Sequence, residues 1–482
     1  MASAVPALLV CLLLFASLHL GCSYYTSYTH GGKHYVVRSN HPPGQPSPPC
    51  SSIDSGRSSS DGLPVVHRLS PCSPLGAARN PQVKMPSAAD VLRRDALRLR
   101  SLFGEDSSTS KGPTPAPPSG VRVTITDRGD PVRALPGALE YHVTAGFGTP
   151  VQTFAVGFDT ATVGATELRC TPCAPDPEPC DTSSFDPSRS SSLAPVPCGS
   201  PDCPFHGCSG PSCTLSLRFN ATFNATFVTD TLTLAPSTTV EKLRFVCLEG
   251  GVGTGDGSSG VLDLSRNSHS LASRAPSSPD TVAFSYCLPL SATKNGFLAI
   301  GAARPELSGR NVSYTPLLSN PINGNLYFLQ LAGLSLNGHD IPAPPLSLFG
   351  DTTLDLHTTF TYLRPPVYAA LRDEFRRAMS ISGYRAAPPQ GELDTCYDFK
   401  PAPFIFLPVI TLRFEGGASV DLSFEQTMFY PDHGDVFSVG CLAFAPAANR
   451  REVAVIGNLA QASMEVVYDV HGGTVGFVPS RC

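Results

Sequence analysis

The chain has 482 residues, of which only 15% are charged, and its formal net charge is -5. A chain of this length favours two domains over a single core, and the low charge argues against nucleic acid or an anionic membrane as a partner. The 48 prolines and 42 glycines indicate many turns between short strands, which favours an all-β protein.

The N-terminal residues predict a secretory signal peptide over residues 1–23. An apolar run from Ala7 to Ala16 is followed by the small residues Gly21 and Ser23, although no Lys or Arg precedes it. A membrane anchor is the alternative, but the run is shorter than the ~20 apolar residues that a spanning helix needs. We therefore predict a protein of the secretory pathway that is not an integral membrane protein.

Residues 24–135 are rich in Ser, Pro and Arg and poor in strand patterns. Within them, residues 88–102 predict a basic amphipathic helix, because Leu92, Ala96 and Leu99 recur at helical spacing among several arginines. A flexible linker rich in Ser, Pro and Gly follows this helix. Two interpretations are open: a disordered tail, or a prosegment whose cations cover an acidic cleft until the segment is removed.

From residue 136 the sequence changes to short apolar runs between Gly, Pro and Ser clusters, which predicts two β lobes, 136–318 and 319–482. The only helix predicted in this part covers residues 366–379. The predicted strands are 140–146, 153–158, 214–219, 227–234, 281–287, 297–300, 327–336, 354–362, 409–414, 438–444, 453–456, 465–469 and 474–478.

Each predicted lobe contains one aspartate at the end of an apolar stretch. The first stretch reads Phe158-Asp159-Thr160-Ala161, and the second reads Leu354-Asp355-Leu356-His357-Thr358. Two carboxylates brought close together cannot both ionise easily, so they can share one proton and activate a water molecule. Asp159 and Asp355 are therefore the candidate catalytic residues.

The sixteen cysteines predict an oxidising compartment. Four of them precede residue 136, and the other twelve are enough for six disulfides, whose pairing the spacing cannot decide. Those twelve are Cys170, Cys173, Cys180, Cys198, Cys203, Cys208, Cys213, Cys247, Cys287, Cys396, Cys441 and Cys482. Zinc at the Cys170-x-x-Cys173 motif is the alternative, but no matching second pair follows, so we predict no metal.

Three N-x-S/T sequons predict glycans on a secreted chain, at Asn220, Asn224 and Asn311. The first two lie close together, at the turn of a predicted hairpin that begins with the strand 214–219.

Further motifs occur in a fixed order along the chain. They are Phe147-Gly-Thr-Pro150, Phe158-Asp-Thr160, Cys170-x-x-Cys173, Phe284-Ser-Tyr-Cys-Leu-Pro289, Leu393-Asp-Thr-Cys-Tyr-Asp398, Val455-Ile-Gly-Asn458 and Val466-Val-Tyr-Asp469. From residue 141 to residue 482 this order resembles the pepsin-like aspartic peptidases, in particular the cysteine-rich plant branch typified by nepenthesin. Val65-Val-His-Arg68 resembles the prosegment of the same branch.

The resemblance implies an all-β, pepsin-like fold of two lobes with a central cleft and a β-hairpin flap, preceded by a signal peptide and a prosegment. It implies hydrolysis of peptide bonds by Asp159 and Asp355, without a covalent intermediate and without a metal or organic cofactor. The expected ligand is a polypeptide substrate, or another protein, held in the cleft of a monomer.

The sequence departs from the family motifs beside both aspartates, where the family has Thr or Ser followed by Gly. The first motif keeps the hydroxyl at Thr160, but Ala161 replaces Gly, at a cost on the order of 1 kcal/mol if that position needs a positive φ. In the second motif Leu356 replaces the hydroxyl residue and His357 replaces Gly. An imidazolium held there favours two ionised aspartates and abolishes the shared proton. The alternative is that His357 acts as a catalytic base.

Two further departures lie near the expected cleft. Phe219 replaces the flap tyrosine of the family, with the sequons Asn220 and Asn224 beside it, and Asp263 replaces a glycine in the first lobe. Two functions are consistent with these changes: a secreted aspartic endopeptidase made as a zymogen, or an inactive homologue that binds or inhibits another protein, for example an enzyme that degrades cell walls. The clustering of the changes favours weak or absent catalysis. We expect the protein in the cell wall, with the vacuole as the alternative.

Overall fold

The computed structural model describes residues 25–30, 33–38, 62–70, 72–75, 86–103, 140–162, 164–172, 183–204, 208, 210–218, 222–235, 238–249, 257–275, 278–290, 295–305, 309–319, 324–342, 351–431, 435–448 and 453–479. The predicted signal peptide, Phe219 and Asn220 of the predicted flap, and Cys173, Cys180 and Cys482 lie outside these residues.

The first half of the described chain is built mainly from strands and contains one long helix, α1. Its strands are β1 (Tyr25–His30), β2 (Lys33–Arg38), β3 (Leu63–His67), β4 (Tyr141–Phe147), β5 (Gln152–Asp159), β6 (Thr166–Arg169), β7 (Ala194–Pro195), β8 (Thr214–Arg218), β9 (Thr222–Ala235), β10 (Thr238–Glu249), β11 (Gly260–Asp263), β12 (Phe284–Cys287), β13 (Asn295–Ile300) and β14 (Ser313–Pro316). Its helices are α1 (Ala88–Phe103) and α2 (Leu271–Arg274), with a 3-10 turn at Pro187–Arg189.

The second half again consists of short strands around one long helix, α3. Its strands are β15 (Phe328–Leu336), β16 (His339–Asp340), β17 (Asp351–Leu354), β18 (Thr361–Leu363), β19 (Arg385–Ala387), β20 (Cys396–Asp398), β21 (Phe404–Pro408), β22 (Ile410–Phe414), β23 (Ser419–Asp421), β24 (Met428–Phe429), β25 (Val439–Leu442), β26 (Phe444–Pro446), β27 (Ala454–Ile456), β28 (Glu465–Asp469) and β29 (Thr474–Val478). Its helices are α3 (Pro365–Ser380), α4 (Phe424–Thr427) and α5 (Asn458–Gln461), with a 3-10 turn at Glu415–Gly417.

The strands form two lobes joined by a shared sheet, and this confirms the predicted two-lobed, all-β fold. The largest sheet has the order β14-β29-β28-β12-β13-β3-β4-β5-β11-β6-β10-β9-β7, with β8 on β9. The last two strands of the chain pair into this sheet beside β12, so the sheet connects the first lobe to the second. The second lobe adds the order β23-β22-β15-β17-β27-β18-β26, with β16 on β15, and the small sheet β19-β20-β25-β24.

The N-terminal segment is part of these sheets rather than a tail. Strands β1 and β2 form a hairpin that adds to β21 of the second lobe, and Val36 at its centre is completely buried. Strand β3 lies between β13 and β4 in the largest sheet. The disordered-tail interpretation is therefore wrong for the described part of residues 24–135. Because this segment is rich in Ser, Pro and Arg, its composition did not predict β2 and β3, which pair with strands far away in sequence.

The predicted helix at residues 366–379 is confirmed as α3. Proline occupies its first turn, and Val367, Leu371, Phe375 and Met379 are buried on one face. No helix among the residues that the structure describes is long and apolar enough to cross a membrane.

Two strand predictions in the second lobe are wrong in detail. The predicted strand 354–362 is two strands, β17 and β18, and residues 355–360 form a loop between them that carries Asp355. The predicted strand 438–444 divides at Ala443 into β25 and β26. In both places the β-branched or apolar composition continues across a turn, so the sequence gives no sign of the break.

Four disulfides are observed between described cysteines: Cys170–Cys247, Cys198–Cys208, Cys203–Cys213 and Cys396–Cys441. Cys72 and Cys287 are disulfide-bonded as well. Because the Cys170 sulfur is bonded to Cys247, it is not a thiolate ligand for zinc, so the zinc alternative fails for Cys170. The Cys396–Cys441 bond joins two residues that face each other on β20 and β25.

Candidate active site

The two aspartates are delivered by equivalent strand pairs in the two lobes. Asp159 ends β5, which pairs in parallel with β11, and Asp355 follows β17, which pairs in parallel with β27. Both side chains are completely buried. A single guanidinium nitrogen, Arg98 Nη2, lies 2.9 Å from an oxygen of Asp159 and 2.6 Å from Asp355 Oδ1. The structure therefore brings the two carboxylates to one point, although 196 positions separate them in sequence (355 − 159).

The first aspartate keeps the support that the motif needs, in spite of the Gly-to-Ala change. Ala161 donates its backbone N–H to Asp159 Oδ1 at 2.8 Å, and Thr160 Oγ1 donates to the carbonyl of Leu354 at 3.4 Å, which links the two loops. Positive φ outside glycine occurs, among the described residues, at Lys242, Asn337 and Ser463. Ala161 is not one of them, so the strain expected from a positive φ at this position does not arise.

The second loop is held by a different set of groups. Thr358 Oγ1 donates to Asp355 Oδ2 at 2.6 Å. Asn458 Nδ2 donates to the carbonyl of Leu356 at 3.0 Å, and Gln461 Nε2 donates to the carbonyl of Asp355 at 3.1 Å. Leu356 occupies the position that corresponds to Thr160 in the first loop. Its side chain packs in the core and is 3% exposed, and it has no hydroxyl that could form a link like that of Thr160.

His357 lies against the opposite aspartate. Its Nε2 is 3.5 Å from Asp159 Oδ2, and its side chain is 3% exposed. The imidazole therefore faces Asp159. Burial raises the pKa of Asp355, but the Arg98 guanidinium, with help from His357 and Thr358, outweighs burial and lowers that pKa below its ordinary value.

Arg98 reaches the two aspartates from α1. Its Nε also contacts both carboxylate oxygens of Asp355, each at 3.1 Å, and its side chain is 5% exposed. Burial lowers the pKa of Arg98, but the two aspartates more than compensate and raise it. The guanidinium occupies the space between the two carboxylates.

Asp95, one turn before Arg98, anchors the same helix to the second loop. Its carboxylate accepts the backbone N–H of Thr359 at 2.9 Å, the backbone N–H of Phe360 at 3.0 Å and the hydroxyl of Tyr362 at 3.2 Å. Burial raises the pKa of Asp95 to about 7, and the three donors act in the opposite direction. Sequence analysis missed this residue, although a polar side chain between Leu92 and Leu99 on the buried face of a helix was a usable signal.

A second ion pair joins α1 to Glu140, the residue before β4. Arg94 Nη2 lies 3.0 Å from Glu140 Oε1, and Asn458 Nδ2 lies 3.4 Å from Glu140 Oε2. Burial raises the pKa of Glu140, but Arg94 and His67 outweigh burial and lower it. The attraction between Arg94 and Glu140 therefore persists above the ordinary glutamate pKa and is lost as the pH falls through the depressed value.

We expect Glu140→Gln to release α1 from the cleft at a higher pH than in the wild type, because one of the two acid-labile ion pairs is already absent. The measurement is hydrogen–deuterium exchange of the α1 amides across pH 3 to 7, corrected for the intrinsic effect of pH on exchange. Asp90→Asn is the matched control, since Asp90 pairs with Arg93 on the exposed side of the same helix. Equal release midpoints for all three proteins would contradict the assignment.

Two further acidic groups lie on the Asp159 side of the site. Asp263 faces Asp159 across the β5–β11 pair, and it accepts bonds from Thr162 Oγ1 at 2.6 Å and from the Ser265 backbone N–H at 2.8 Å. Burial, with a contribution from Asp159, raises the pKa of Asp263. Burial, with Asp159 and Asp263, raises the pKa of Glu167 to about 8. Sequence analysis predicted the extra carboxylate at Asp263 and missed Glu167.

The two predicted glycosylation sites that the structure describes differ in environment. Asn311 is exposed. Asn224, on β9, is partly buried, and its Nδ2 lies 3.5 Å from Glu249 Oε2 on the neighbouring strand. A glycan on Asn224 would displace that contact, whereas one on Asn311 would extend into solvent.

Comparisons with known proteins indicate the family of the chain. Family models described as the N-terminal and C-terminal parts of xylanase inhibitors match residues 141–302 and 326–479. An aspartyl protease family protein of Arabidopsis thaliana is 30% identical, with 98% of each chain covered. Aspartyl protease 25 of Oryza sativa subsp. japonica is 33% identical over 87% of this chain and 94% of the relative.

The chain belongs to the plant family of pepsin-like aspartic peptidases. A solved structure of conglutin gamma, a basic 7S globulin from lupine seeds, has the same fold, with a TM-score of 0.54, 18% identity and coverage of 71% of this chain and 92% of that one. Family membership confirms the resemblance that the sequence motifs indicated. The likeness to conglutin gamma shows only that the fold is shared.

Proposed function

We propose that the protein is an aspartic endopeptidase of the plant secretory pathway, made as a precursor that its own N-terminal segment keeps inactive. The observation that carries the proposal is the bridge from Arg98 to both Asp159 and Asp355. Because one guanidinium nitrogen contacts both carboxylates, their oxygens lie within a few Å of each other, and a proton-sharing dyad needs such proximity. The support of Asp159 by Ala161 and of Asp355 by Thr358 adds to the case.

In the proposed mechanism, removal of α1 takes Arg98 away and leaves two buried carboxylates facing each other. They share one proton at acidic pH because both cannot ionise together without a cation. A water then takes the place of the guanidinium. One carboxylate accepts a proton from this water while the other donates to the carbonyl oxygen of the peptide bond. Ala161 and Thr358 orient the carboxylates by donating to them, and Thr160 links the two loops.

The proposal assigns the chain as a signal peptide (1–23), a prosegment with its linker (24–135) and two lobes (136–318 and 319–482). Phe219 is the proposed flap residue, and the protein acts as a monomer without a metal or an organic cofactor. The many disulfides and the plant relatives support a location in the cell wall or the vacuole.

The test is cleavage of denatured globin by the purified, acid-treated protein between pH 2 and 6. We expect activity in the acidic part of this range and its loss in Asp159→Asn. Circular dichroism of both proteins controls for folding. Failure of a folded, fully processed protein to cleave globin would reject the proposal.

The second candidate is an inactive homologue that binds another protein in the cleft. Leu356 and His357 favour it, since one removes a hydroxyl link between the loops and the other places an imidazole beside the dyad. The family models, which are described as xylanase inhibitors, make a xylanase the first partner to try. Stoichiometric inhibition of a xylanase by processed protein that cleaves nothing would establish this function instead.

A further inference from the structure

The carboxylate of Asp95 occupies a small site in the second lobe that the catalytic mechanism does not use. We define the carboxyl pocket as the backbone N–H groups of Thr359 and Phe360 together with the hydroxyl of Tyr362. All three donate to Asp95, whose side chain is completely buried. The pocket thus offers three donors to two oxygens, the pattern that a carboxylate requires.

The donors of the carboxyl pocket belong to the cleft, whereas the acceptor belongs to α1. Thr359 and Phe360 end the loop that begins at Asp355, and Tyr362 lies in the following strand, β18. When α1 leaves, Asp95 leaves with it and the three donors lose their partner. Donors that have lost their acceptor favour a new one, so the vacated site can take another acceptor group.

We propose that, in the processed protein, the carboxyl pocket is a subsite for an acidic side chain of the polypeptide in the cleft. As a substrate subsite the pocket rests on the proposed endopeptidase function. As a binding site for a carboxylate it depends only on the contacts of Asp95.

The position of the acidic residue follows from the helix that now fills the cleft. Arg98 marks the place of the peptide bond to be cut, and Asp95 precedes it by three residues, which is about 4.5 Å along a helix axis. An extended peptide covers this distance in one to two residues, at about 3.3 Å per residue. Since the side chains add reach at both ends, we place the acidic residue within about three residues of the cleaved bond.

Donor chemistry sets the order of preference. A carboxylate can accept all three hydrogen bonds, a Gln or Asn side chain offers one oxygen, and an Ala or Leu side chain offers none. We therefore expect Glu and Asp to be preferred over Gln, and Gln over Ala. Tyr362 is the one side-chain donor of the pocket, so Tyr362→Phe tests its contribution with little change in volume.

The first experiment measures binding and needs no catalysis. Synthetic peptides covering residues 86–103 are titrated into the acid-processed protein at pH 8, which lies above the pKa of about 3.9 of a free aspartate and above the pKa of about 7 that burial gives Asp95, so that the carboxylate is ionised both free and bound. Loss of charged hydrogen bonds should weaken the Asp95→Ala peptide about ten-fold or more relative to the Asp90→Ala control peptide. The difference in affinity between these two peptides should be smaller for the Tyr362→Phe protein. Equal affinity of the two peptides, or no binding of the unaltered peptide, would overturn the proposal.

The second experiment measures cleavage. A set of peptides differing only in Glu, Gln or Ala at each of the three positions on either side of the cut is assayed at pH 5.5. We expect one position at which Glu exceeds Ala in kcat/KM, and a smaller ratio in Tyr362→Phe. If Tyr362→Phe leaves the ratio of kcat/KM between the Glu and Ala peptides unchanged, the proposal is contradicted. If no peptide is cleaved while Asp95-dependent binding persists, the endopeptidase function fails and the carboxyl pocket stands as a ligand site.

Discussion

Arg98→Gln should detach α1 from the cleft of the full-length protein at neutral pH. The substitution removes the guanidinium that bridges Asp159 and Asp355, and it leaves two buried carboxylates facing each other. Removal of one side of a buried ion pair typically costs about 3–5 kcal/mol. The effect should be largest near pH 7 and should shrink on acidification, because the depressed pKa of Asp355 means that the wild-type bridge itself weakens as the pH falls.

The measurement for Arg98→Gln is binding of a statin-type transition-state analogue to unprocessed protein, followed by titration from pH 3 to 7. We expect the variant to bind at a pH where the wild-type precursor does not. Arg93→Gln is the matched control, since Arg93 lies on the exposed side of α1 with its side chain 72% exposed. A variant precursor that excludes the analogue as well as the wild type does would show that Arg98 is not what closes the site.

His357→Gly should move the alkaline limit of activity of the processed protein to higher pH. An opposite charge a few Å from a carboxylate lowers its pKa by about one to three pH units. When the His357 imidazole, 3.5 Å from Asp159, is protonated, it promotes loss of the shared proton, and its removal allows the dyad to keep that proton at higher pH. At a fixed pH near the limit, activity should rise.

A pH–rate profile of kcat/KM for the wild type and His357→Gly checks this prediction. His339→Gly serves as the control, because His339 is an exposed histidine on β16, away from the dyad. If His357 were a catalytic base, the substitution would abolish activity instead of extending it. Coincident profiles would show that the imidazole does not influence the dyad.

Sequence analysis predicted best those elements in which the spacing of apolar side chains indicates the buried face. Strand β5 and helix α3 carry apolar residues at the spacing of a strand and of a helix, and both lie where predicted. Strand β10 was missed because its first half, Thr238-Thr-Val-Glu-Lys242, is polar and mostly exposed, and it is held as a strand by pairing with β9. Such pairing is a property of the partner and cannot be seen in the segment itself.

The candidate site divides in the same way. Asp159, Asp355 and His357 were predicted because local motifs identify them, and Asp263 because its motif has an equivalent in the second lobe. The roles of Arg98, Asp95 and Glu140 depend on contacts between residues that are more than forty positions apart in sequence. Arg94 and Glu140, for example, are 46 positions apart. Composition could say that α1 is basic and amphipathic, but not which arginine meets which carboxylate.

Several described elements of the N-terminal segment attach to the two lobes. The hairpin of β1 and β2 is hydrogen-bonded to β21, β3 is paired on both sides within the largest sheet, and α1 lies in the cleft. A single cut between Phe103 and Glu140 breaks none of these attachments. We therefore expect cleavage of the chain and gain of activity to be two separate events. Between them lies a cleaved but inactive protein, which becomes active only when the severed segment dissociates.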